Sequence, residues 1–418
     1  MIKKIVLGVL VLLSSQLFSQ ENTASPYSFY GLGDARFKGM NDVVSMGGLS
    51  VYSDSIHLNV LNPASYANQM LTSIQIGGTS SFYKLKSSVD YEQAKKTTLD
   101  YLVIGLPYSK KLGFSFGLLP HSAVGYRLVK NQYTGDVLTQ SNVYNGTGGV
   151  NKVYFGAGYQ LTSKLSFGAD FHYLFGSIDT KSILLLNGVQ YSTRELNNSV
   201  VSGVAFNTGL LYKTKVYAKY TLTTSLTFSP ETKLNSVNTR NTATVTFNSA
   251  GAELIANSQE VVVPDSKMNI PSKLALGAGL GNRKWFIGAD YTRRGTSTQT
   301  NRFDNYNNVR YENSSKIAIG GYFIPKFDSF QSYFQRVTYK AGFRYENTGL
   351  VINNTSIKDK AISFGFAFPI TGTFSSINIG SEIGSRGISS NGLIKENYFT
   401  INIGLMFSDK WFKKNLYN

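Results

Sequence analysis

A strict two-residue alternation is the feature that most constrains the fold of this chain. From Leu165 to Gly176, apolar and aromatic residues take every odd position, whereas most even positions are Ser, Gly, Asp or His. The same alternation recurs in Val153–Leu161, Trp285–Thr292, Val337–Glu346 and Phe399–Phe407. Successive side chains of a β-strand point to opposite faces. Each segment therefore predicts a strand with one apolar face and one glycine-rich, polar face.

The composition of the two faces indicates a membrane barrel. Only 16% of the residues are charged, against about 25% in a typical soluble domain, and the chain has 40 glycines. A soluble sandwich would bury its apolar face and expose one rich in Lys, Glu and Thr. An apolar face toward lipid and a polar face toward a lumen are typical of outer-membrane barrels. We therefore predict an all-β fold, a transmembrane antiparallel β-barrel.

The number of alternating segments predicts about 14 strands. Connections between them alternate between short turns, such as Ser109-Lys110 and Thr162-Ser163, and long loops, such as Asn131–Gly149, Ser182–Asn198 and Thr232–Lys267. Short turns on one rim and long loops on the other are the outer-membrane arrangement. The predicted strands start near Thr72, Leu99, Leu112, Val150, Leu165, Val201, Val216, Met268, Trp285, Arg310, Phe334, Ala361, Phe374 and Tyr398.

The N-terminus predicts export from the cytoplasm. Lys3 and Lys4 precede the apolar run Ile5–Leu13, and small and polar residues follow up to Gln20. This order is that of a secretory signal peptide, and the run is too short to span a bilayer. We expect a signal peptide at residues 1–20, an N-terminal unit at 21–70 and one barrel at 71–418. The predicted location is the outer membrane of a Gram-negative bacterium.

Several function classes are excluded by composition. The chain has no cysteine and three histidines, so we expect no disulfide, no metal site and no cofactor. No phosphate loop or nucleophile motif occurs, and we expect no enzymatic activity. The net charge of +17 is not clustered in a stripe, which argues against nucleic acid. Basic residues lie mostly in loops and at strand ends, where they either contact lipopolysaccharide phosphates or are simply solvated.

The segment before the first strand resembles a known family. Gly47 and Gly48 are followed by Asp54, and then by Asn62-Pro63-Ala64 directly before the barrel. This order resembles the FadL/TodX family of outer-membrane transporters for long-chain fatty acids and other hydrophobic compounds, as do Leu106–Gly117, Ile270–Leu280 and Lys284–Tyr291. The resemblance implies a fourteen-stranded barrel with a small N-terminal hatch in its lumen, and it marks the chain as a divergent member.

The residue types of the Asn62-Pro63-Ala64 motif predict a rigid turn. Pro63 fixes its own φ and keeps Asn62 out of the helical region. The Asn62 amide can then hydrogen-bond local backbone groups, as Asn does in turns. A rigid turn of this kind would hold a hatch in register, whereas an ordinary turn into the first strand is the alternative.

A proline interrupts the third predicted strand. Leu112–Leu128 is long enough to span the membrane, yet Pro120 lies in its middle. Proline cannot donate to a sheet ladder and occurs at edges, bulges and breaks. The family resemblance implies an inward kink and a lateral opening here. We expect Pro120, His121 and Ser122 at such an opening, with a simple bulge or two shorter strands as the alternative.

Charged residues on the polar face predict a lumenal network. A charge toward lipid would cost about 2–4 kcal/mol near the midplane, so we place these residues inside the barrel. Lys340 and Arg344 either anchor the hatch through ion pairs or bind a ligand carboxylate. The inward charged set is Asp170, His172, Asp290, Lys340, Arg344, Glu346 and Glu382.

Two functions remain open on the sequence. The first is a monomeric barrel for passive uptake of hydrophobic molecules such as long-chain fatty acids, with lateral exit near Pro120, in contact with outer-membrane lipids and lipopolysaccharide. The second is a barrel of the same architecture that serves as a protein-binding subunit of a secretion or surface-export complex. A continuous apolar tunnel would favour uptake. A sealed lumen with an apolar crown of loops would favour the protein partner.

Overall fold

A computed structural model describes residues 23–217, 219–299 and 308–410. The predicted signal peptide therefore lies outside the described residues. One short α-helix, α1 (Asn41–Val44), and four 3-10 helices, Pro26–Phe29, Pro63–Asn68, Thr296–Thr298 and Tyr333–Gln335, accompany the strands. None of the helices in the described ranges has the length and hydropathy that crossing a membrane requires.

Nineteen strands are defined within these ranges. They are β1 (Asp34–Ala35), β2 (Thr72–Lys86), β3 (Tyr91–Pro107), β4 (Leu112–Thr134), β5 (Val137–Gln160), β6 (Leu165–Leu186), β7 (Ser192–Val216), β8 (Tyr220–Ser229), β9 (Thr232–Phe247), β10 (Glu253–Val261), β11 (Ser266–Ile270), β12 (Lys273–Gly281), β13 (Trp285–Arg294), β14 (Val309–Tyr311), β15 (Ser314–Phe323), β16 (Thr338–Ile352), β17 (Thr355–Pro369), β18 (Ser376–Arg386) and β19 (Lys395–Asp409).

These strands form a closed antiparallel barrel of 14 strand positions, as predicted. β2 to β7 follow one another around the wall, and β19 closes the ring by pairing with β2 over its whole length. Strands β8 and β9 share one position, β10, β11 and β12 share the next, and β14 and β15 share another. Pro230, Pro264 and Pro271 lie at the breaks within these positions, because proline has no N–H for the ladder.

The predicted long loops are wrong in part. Residues Asn131–Gly149 mostly extend β4 and β5, which meet at a tight turn at Gly135 and Asp136. Ser182–Asn198 likewise contains the ends of β6 and β7, and Thr232–Lys267 contains all of β9 and β10. For the same reason, several strands begin up to 13 residues before their predicted starts, such as β5 at Val137 rather than Val150. Polar hairpin strands beyond the membrane lack the apolar alternation that identifies the spanning part.

The outward face of the barrel is apolar and the inward face is small or polar. Phe155 and Phe167 are exposed on the outside, whereas their neighbours in sequence are buried. The core lies between the inward face and the N-terminal segment, defined here as residues 23–71. Four of its apolar clusters combine residues of that segment, such as Leu32 and Tyr27, with residues of the wall.

Glycines on the inward face make room for this segment. A Cβ on Gly168 would lie 2.3 Å from the carbonyl carbon of Pro63, and one on Gly342 would lie 2.2 Å from the backbone nitrogen of Gly47. Real Cβ atoms do not approach other atoms this closely. The glycine-rich faces of the strands are therefore the contact surface of the N-terminal segment.

Candidate functional site

The Asn62-Pro63-Ala64 motif starts the second 3-10 helix and holds it against the wall. The Asn62 side-chain oxygen accepts a hydrogen bond from the Ala64 N–H at 3.0 Å, which caps the helix. Its amide nitrogen donates to the Leu210 carbonyl of β7 at 3.3 Å. Pro63 occupies the first helical position, where no N–H is needed. One side chain thus fixes both the turn and its attachment to the barrel.

Gly47 and Gly48 end the turn that follows α1. Both have positive φ, +78° and +85°, a conformation that glycine adopts without strain. The Gly47 N–H donates to the Ser363 hydroxyl of β17 at 3.2 Å, and Lys316 of β15 donates to the Gly48 carbonyl at 3.4 Å. The two glycines therefore bring the backbone of the segment into contact with the wall.

Asp54 organises a turn within the N-terminal segment. Its carboxylate accepts hydrogen bonds from the backbone N–H of Ile56, from the His57 ring at 2.6 Å and from the Tyr52 hydroxyl at 2.6 Å. Burial disfavours the charged carboxylate, but the charge and hydrogen bonds of His57 outweigh it and lower the pKa of Asp54. Burial likewise opposes the charged imidazole, but Asp54 outweighs it and raises the pKa of His57.

Four charged side chains of the N-terminal segment each meet an opposite charge on the wall. The pairs are Asp34 with Arg386 at 2.8 Å, Arg36 with Asp100 at 3.1 Å, Lys38 with Glu382 at 3.2 Å, and Asp42 with Lys340. Their wall partners lie on β18, β3 and β16. The segment is thus held by ion pairs on several sides of the lumen.

Arg344 is the centre of the wall's own charge network. Its guanidinium donates to Asp359 at 2.9 Å, to Glu382 at 3.0 Å and to the Tyr398 hydroxyl at 3.1 Å. The Arg344 side chain is only 3% exposed. Lys340 is similarly buried and also donates to Asn378 at 3.4 Å. Both candidates for binding a ligand carboxylate therefore already have protein carboxylates as partners.

The wall opens between β3 and β4 close to Pro120. Pairing of these strands ends at Leu102 and Leu118. Among the strands that the structure describes, residues 91–101 of β3 pair with β2 alone. On its other side, β4 has a bulge against β5. Pro120 pairs with Asn151 and Ser122 pairs with Val150, so His121 has no partner in the β4–β5 register. The three residues expected at an opening therefore lie directly above the end of the β3–β4 ladder.

The N-terminal segment takes the place of β3 beside β4. Strand β1 pairs Asp34 with Ala123 and Ala35 with Ser122. The Arg36 N–H continues this pairing by donating to the His121 carbonyl at 3.2 Å. Arg36 also hydrogen-bonds Thr98 on the free edge of β3. The gap in the wall is thus bridged from inside.

The cavity next to this bridge is small and polar. It holds about 70 Å³ between the N-terminal segment and β2, β3, β18 and β19, and its lining includes Asp34, Arg36, Asp100, Glu382 and Arg386. Pockets for small organic ligands usually measure about 300–1,000 Å³ and are mostly apolar. This part of the lumen is unsuited to an aliphatic chain in the state described.

The extracellular hairpins carry exposed apolar side chains. Strand β4 has 23 residues and β7 has 25, whereas about 9–11 tilted residues cross the bilayer. The hairpins of β4–β5, β6–β7 and β9–β10 therefore project beyond the membrane. We call their exposed apolar residues the apolar crown, which comprises Val129, Tyr133, Val137, Leu138, Leu186, Val189, Tyr191, Phe247, Leu254 and Ile255, each at least 37% exposed.

Several of these features were not predicted from the sequence. Ion pairs that anchor the N-terminal segment were one expected role for Lys340, but the individual partners of the four pairs and the pairing of β1 with β4 were not predicted, because they join residues up to 352 positions apart. The available signal was the run of charges Asp34, Arg36, Lys38 and Asp42 in a segment that also contains many buried apolar residues.

Comparisons with known proteins agree with this architecture. A family model described as BamG matches residues 1–418. Among solved structures, the CymD monoaromatic hydrocarbon channel is 14% identical, with a TM-score of 0.57, 92% of this chain covered and 99% of that chain. The Pseudomonas putida toluene transporter TodX is 16% identical, with a TM-score of 0.53 and coverages of 95% and 100%.

A Pseudomonas aeruginosa FadL homologue is 13% identical, with a TM-score of 0.54 and coverages of 90% and 98%. A search of curated proteins found no match. The resemblance to FadL/TodX barrels is thereby confirmed at the level of the fold, as is the location in a Gram-negative outer membrane.

Proposed function

Since the chain belongs to the BamG family, we propose that it acts in the outer membrane as a protein-docking barrel, a subunit that binds partner proteins of the Bam complex. The observation that carries this proposal is the way the lumen is filled. Four ion pairs and the β1–β4 pairing hold the N-terminal segment across the barrel. A barrel occupied in this way offers a partner its surface rather than its interior.

The apolar crown supplies the docking surface in this proposal. Its side chains lie beyond the membrane, where neither lipid nor the lumen covers them. Exposed apolar patches with polar rims are typical of protein interfaces. Aromatic side chains such as Tyr133 and Tyr191 are also the kind that dominate binding energy. The small polar cavity beside the bridged gap and the apolar crown together support the second function that the sequence left open.

A triple substitution in the crown tests this proposal. Leu186→Ser, Val189→Ser and Tyr191→Ser remove three exposed side chains from the β6–β7 hairpin without touching the lumen. We expect recovery of Bam-complex subunits with the affinity-tagged chain, taken from its own outer membrane, to fall at least about tenfold. Lys110→Ser with Lys111→Ser at a periplasmic turn is the control and should leave recovery unchanged. Equal recovery from both variants would refute docking through this hairpin.

Uptake of hydrophobic compounds is the second candidate. The observation that favours it is the gap above Leu102 and Leu118, together with a fold like that of hydrocarbon channels. In this candidate the ligand enters from outside, Arg36 leaves Asp100, and the ligand exits sideways beside Pro120, His121 and Ser122. Long-chain fatty acids would suit such a route, with apolar burial contributing about 25 cal/mol per Å².

Proteoliposomes distinguish the two candidates. A fluorescent fatty acid offered outside should reach the lumen of vesicles containing the chain no faster than it reaches empty vesicles, if docking is the function. Uptake that depends on the chain, and that stops when residues 35 and 122 are joined by an engineered disulfide, would instead establish lateral transport.

A further inference from the structure

Six lysines lie on the outward face of the barrel near its extracellular edge. They lie on β17, β19, β2 and β3, which are neighbours in the wall except that β18, without a lysine of this set, stands between β17 and β19. Their sequence neighbours Asp359 and Glu396 point into the lumen and are buried. In the described residues, no Asp or Glu occupies an outward position on the extracellular ends of these strands. We call the set the lysine rim: Lys84, Lys86, Lys95, Lys358, Lys360 and Lys395.

The strand register places the lysine rim directly above an apolar band. One row across the sheet joins Lys360 to Ser385, Asn397, Lys84 and Gln93. The next row toward the membrane consists of Ile362, Ile383, Phe399, Phe82 and Lys95. The polar row thus gives way to a row that is apolar except for Lys95, two residues further along the strands, about 7 Å.

A groove of about 730 Å³ crosses both rows. Lys84, Lys95 and Lys360 line it together with Phe82 and Phe399, whose rings stack with centroids 6.2 Å apart. The Lys95 ammonium lies 5.3 Å from the centre of the Phe82 ring. Within the described residues, none of these three lysines forms an ion pair with a carboxylate. Their charges are therefore available to a ligand.

We propose that the lysine rim and this groove bind a phosphorylated, multiply acylated lipid of the outer leaflet. Lys84 and Lys360 contact phosphate groups on its sugar headgroup. Lys95 contacts the headgroup where the polar row meets the apolar row. The acyl chains lie along Phe82, Phe399 and Ile362. This inference does not depend on whether the chain docks proteins or transports ligands.

Charge and depth together favour a lipid over a protein. The groove lies on the lipid-facing surface and its apolar part continues into the membrane-spanning band. The cationic part lies where the headgroups of the outer leaflet end. Basic side chains close to a membrane surface contribute about 1 kcal/mol each to attraction of anionic lipid. On the described strands that carry the lysine rim, no outward carboxylate opposes them.

Native mass spectrometry with purified protein and added diphosphoryl lipid A tests this site. The variant combines Lys84→Gln, Lys95→Gln and Lys360→Gln, all at exposed positions. We expect the variant to bind lipid A roughly a hundredfold more weakly than the wild type, since three cationic contacts are lost. Lys110→Gln, Lys111→Gln and Lys164→Gln at periplasmic turns are the matched control, with the same change of charge and unchanged binding.

Dephosphorylated lipid A should bind equally weakly to all three proteins. Equal binding of diphosphoryl lipid A to the wild type and the variant would overturn the proposal. Preference for the dephosphorylated form would also overturn it. Loss of a protein partner from the variant, with lipid A binding intact, would assign the lysine rim to an acidic protein instead. If the triple variant folds poorly, binding of diphosphoryl lipid A to the single variant Lys360→Gln is measured instead and should also be weaker than in the wild type.

Discussion

At the scale of single residues, buried charges decide how this barrel is held together. Arg344 is paired on several sides, and its removal would take the nearest cation from two buried carboxylates, leaving Asp359 with Arg386 and Glu382 with Lys38. Replacing one partner of a buried ion pair typically destabilises a protein by about 3–5 kcal/mol. Exposed charges on the outer surface carry no such penalty.

Arg344→Met is therefore expected to lower the free energy of unfolding by about 3–5 kcal/mol. The matched control is Arg293→Met on β13, where the side chain is exposed and faces outward. Urea unfolding in detergent micelles, followed by heat-modifiable gel mobility, measures both. Equal midpoints for the two variants would show that the network contributes little.

The Asp54–His57 pair predicts a local pH dependence. The raised pKa of His57 means that its contribution to stability is complete below its ordinary value of about 6.5. That contribution is lost as the pH rises through the raised value. The lowered pKa of Asp54 has the opposite sign, so its contribution is lost only under strongly acidic conditions. Between them lies the window in which the turn is most stable.

We expect the His57 ring resonances to titrate above about pH 6.5 and amide exchange of residues 54–57 to accelerate over the same interval. Asp54→Asn should return the titration midpoint of His57 toward its ordinary value. A midpoint for the wild type at or below that of Asp54→Asn would contradict the ion pair.

At the scale of elements, the main departure from a simple barrel is the course of β4. Its first part pairs with β3, but at Pro120 it bulges and takes β1 of the N-terminal segment as its neighbour. The proline in the sequence predicted an interruption at this point. The element that fills the gap was not predictable, because a two-residue strand has no periodicity of its own.

An engineered disulfide tests the pairing of β1 with β4. Ala35 and Ser122 are partners in the register, and paired residues in a sheet have Cα separations compatible with a disulfide. Ala35→Cys with Ser122→Cys should therefore oxidise spontaneously in the periplasm. The natural chain has no cysteine, so mobility on a non-reducing gel reports the bond directly.

The matched control combines Ala35→Cys with Ser115→Cys. Ser115 lies on the same strand but seven residues away, roughly 23 Å along β4. We expect no disulfide in this control. Oxidation of both pairs, or of the control alone, would rule out the pairing in the structure.

Strand positions were predictable from the sequence where contact with lipid imposes an apolar alternation, and they were not predictable elsewhere. The apolar alternation located the starts of β2, β4, β6 and β13 at Thr72, Leu112, Leu165 and Trp285. Beyond the membrane, polar strands such as those within Asn131–Gly149 lack this signal. The Asn62 motif was recognisable from its local turn chemistry, whereas the wall partners of Asp34 and Arg36 depend on long-range topology that one sequence does not specify.

At the scale of the whole molecule, the N-terminal segment occupies the interior of the barrel, and the outer surface and the hairpins are accessible to lipids and proteins. The N-terminal segment fills the lumen, the apolar crown projects on the extracellular side, and the lysine rim faces the outer leaflet. The fold is shared with hydrocarbon channels, but the function proposed here depends on the outer surfaces of the barrel and not on its lumen.

Native mass spectrometry of the protein, purified gently from its own outer membrane, tests this account most directly. We predict a stoichiometric assembly with subunits of the Bam complex, and a mass for the released chain without an apolar ligand. The crown variant should release the chain from the assembly. A monomer that carries a fatty acid or another apolar ligand within the barrel would contradict the account and establish transport instead.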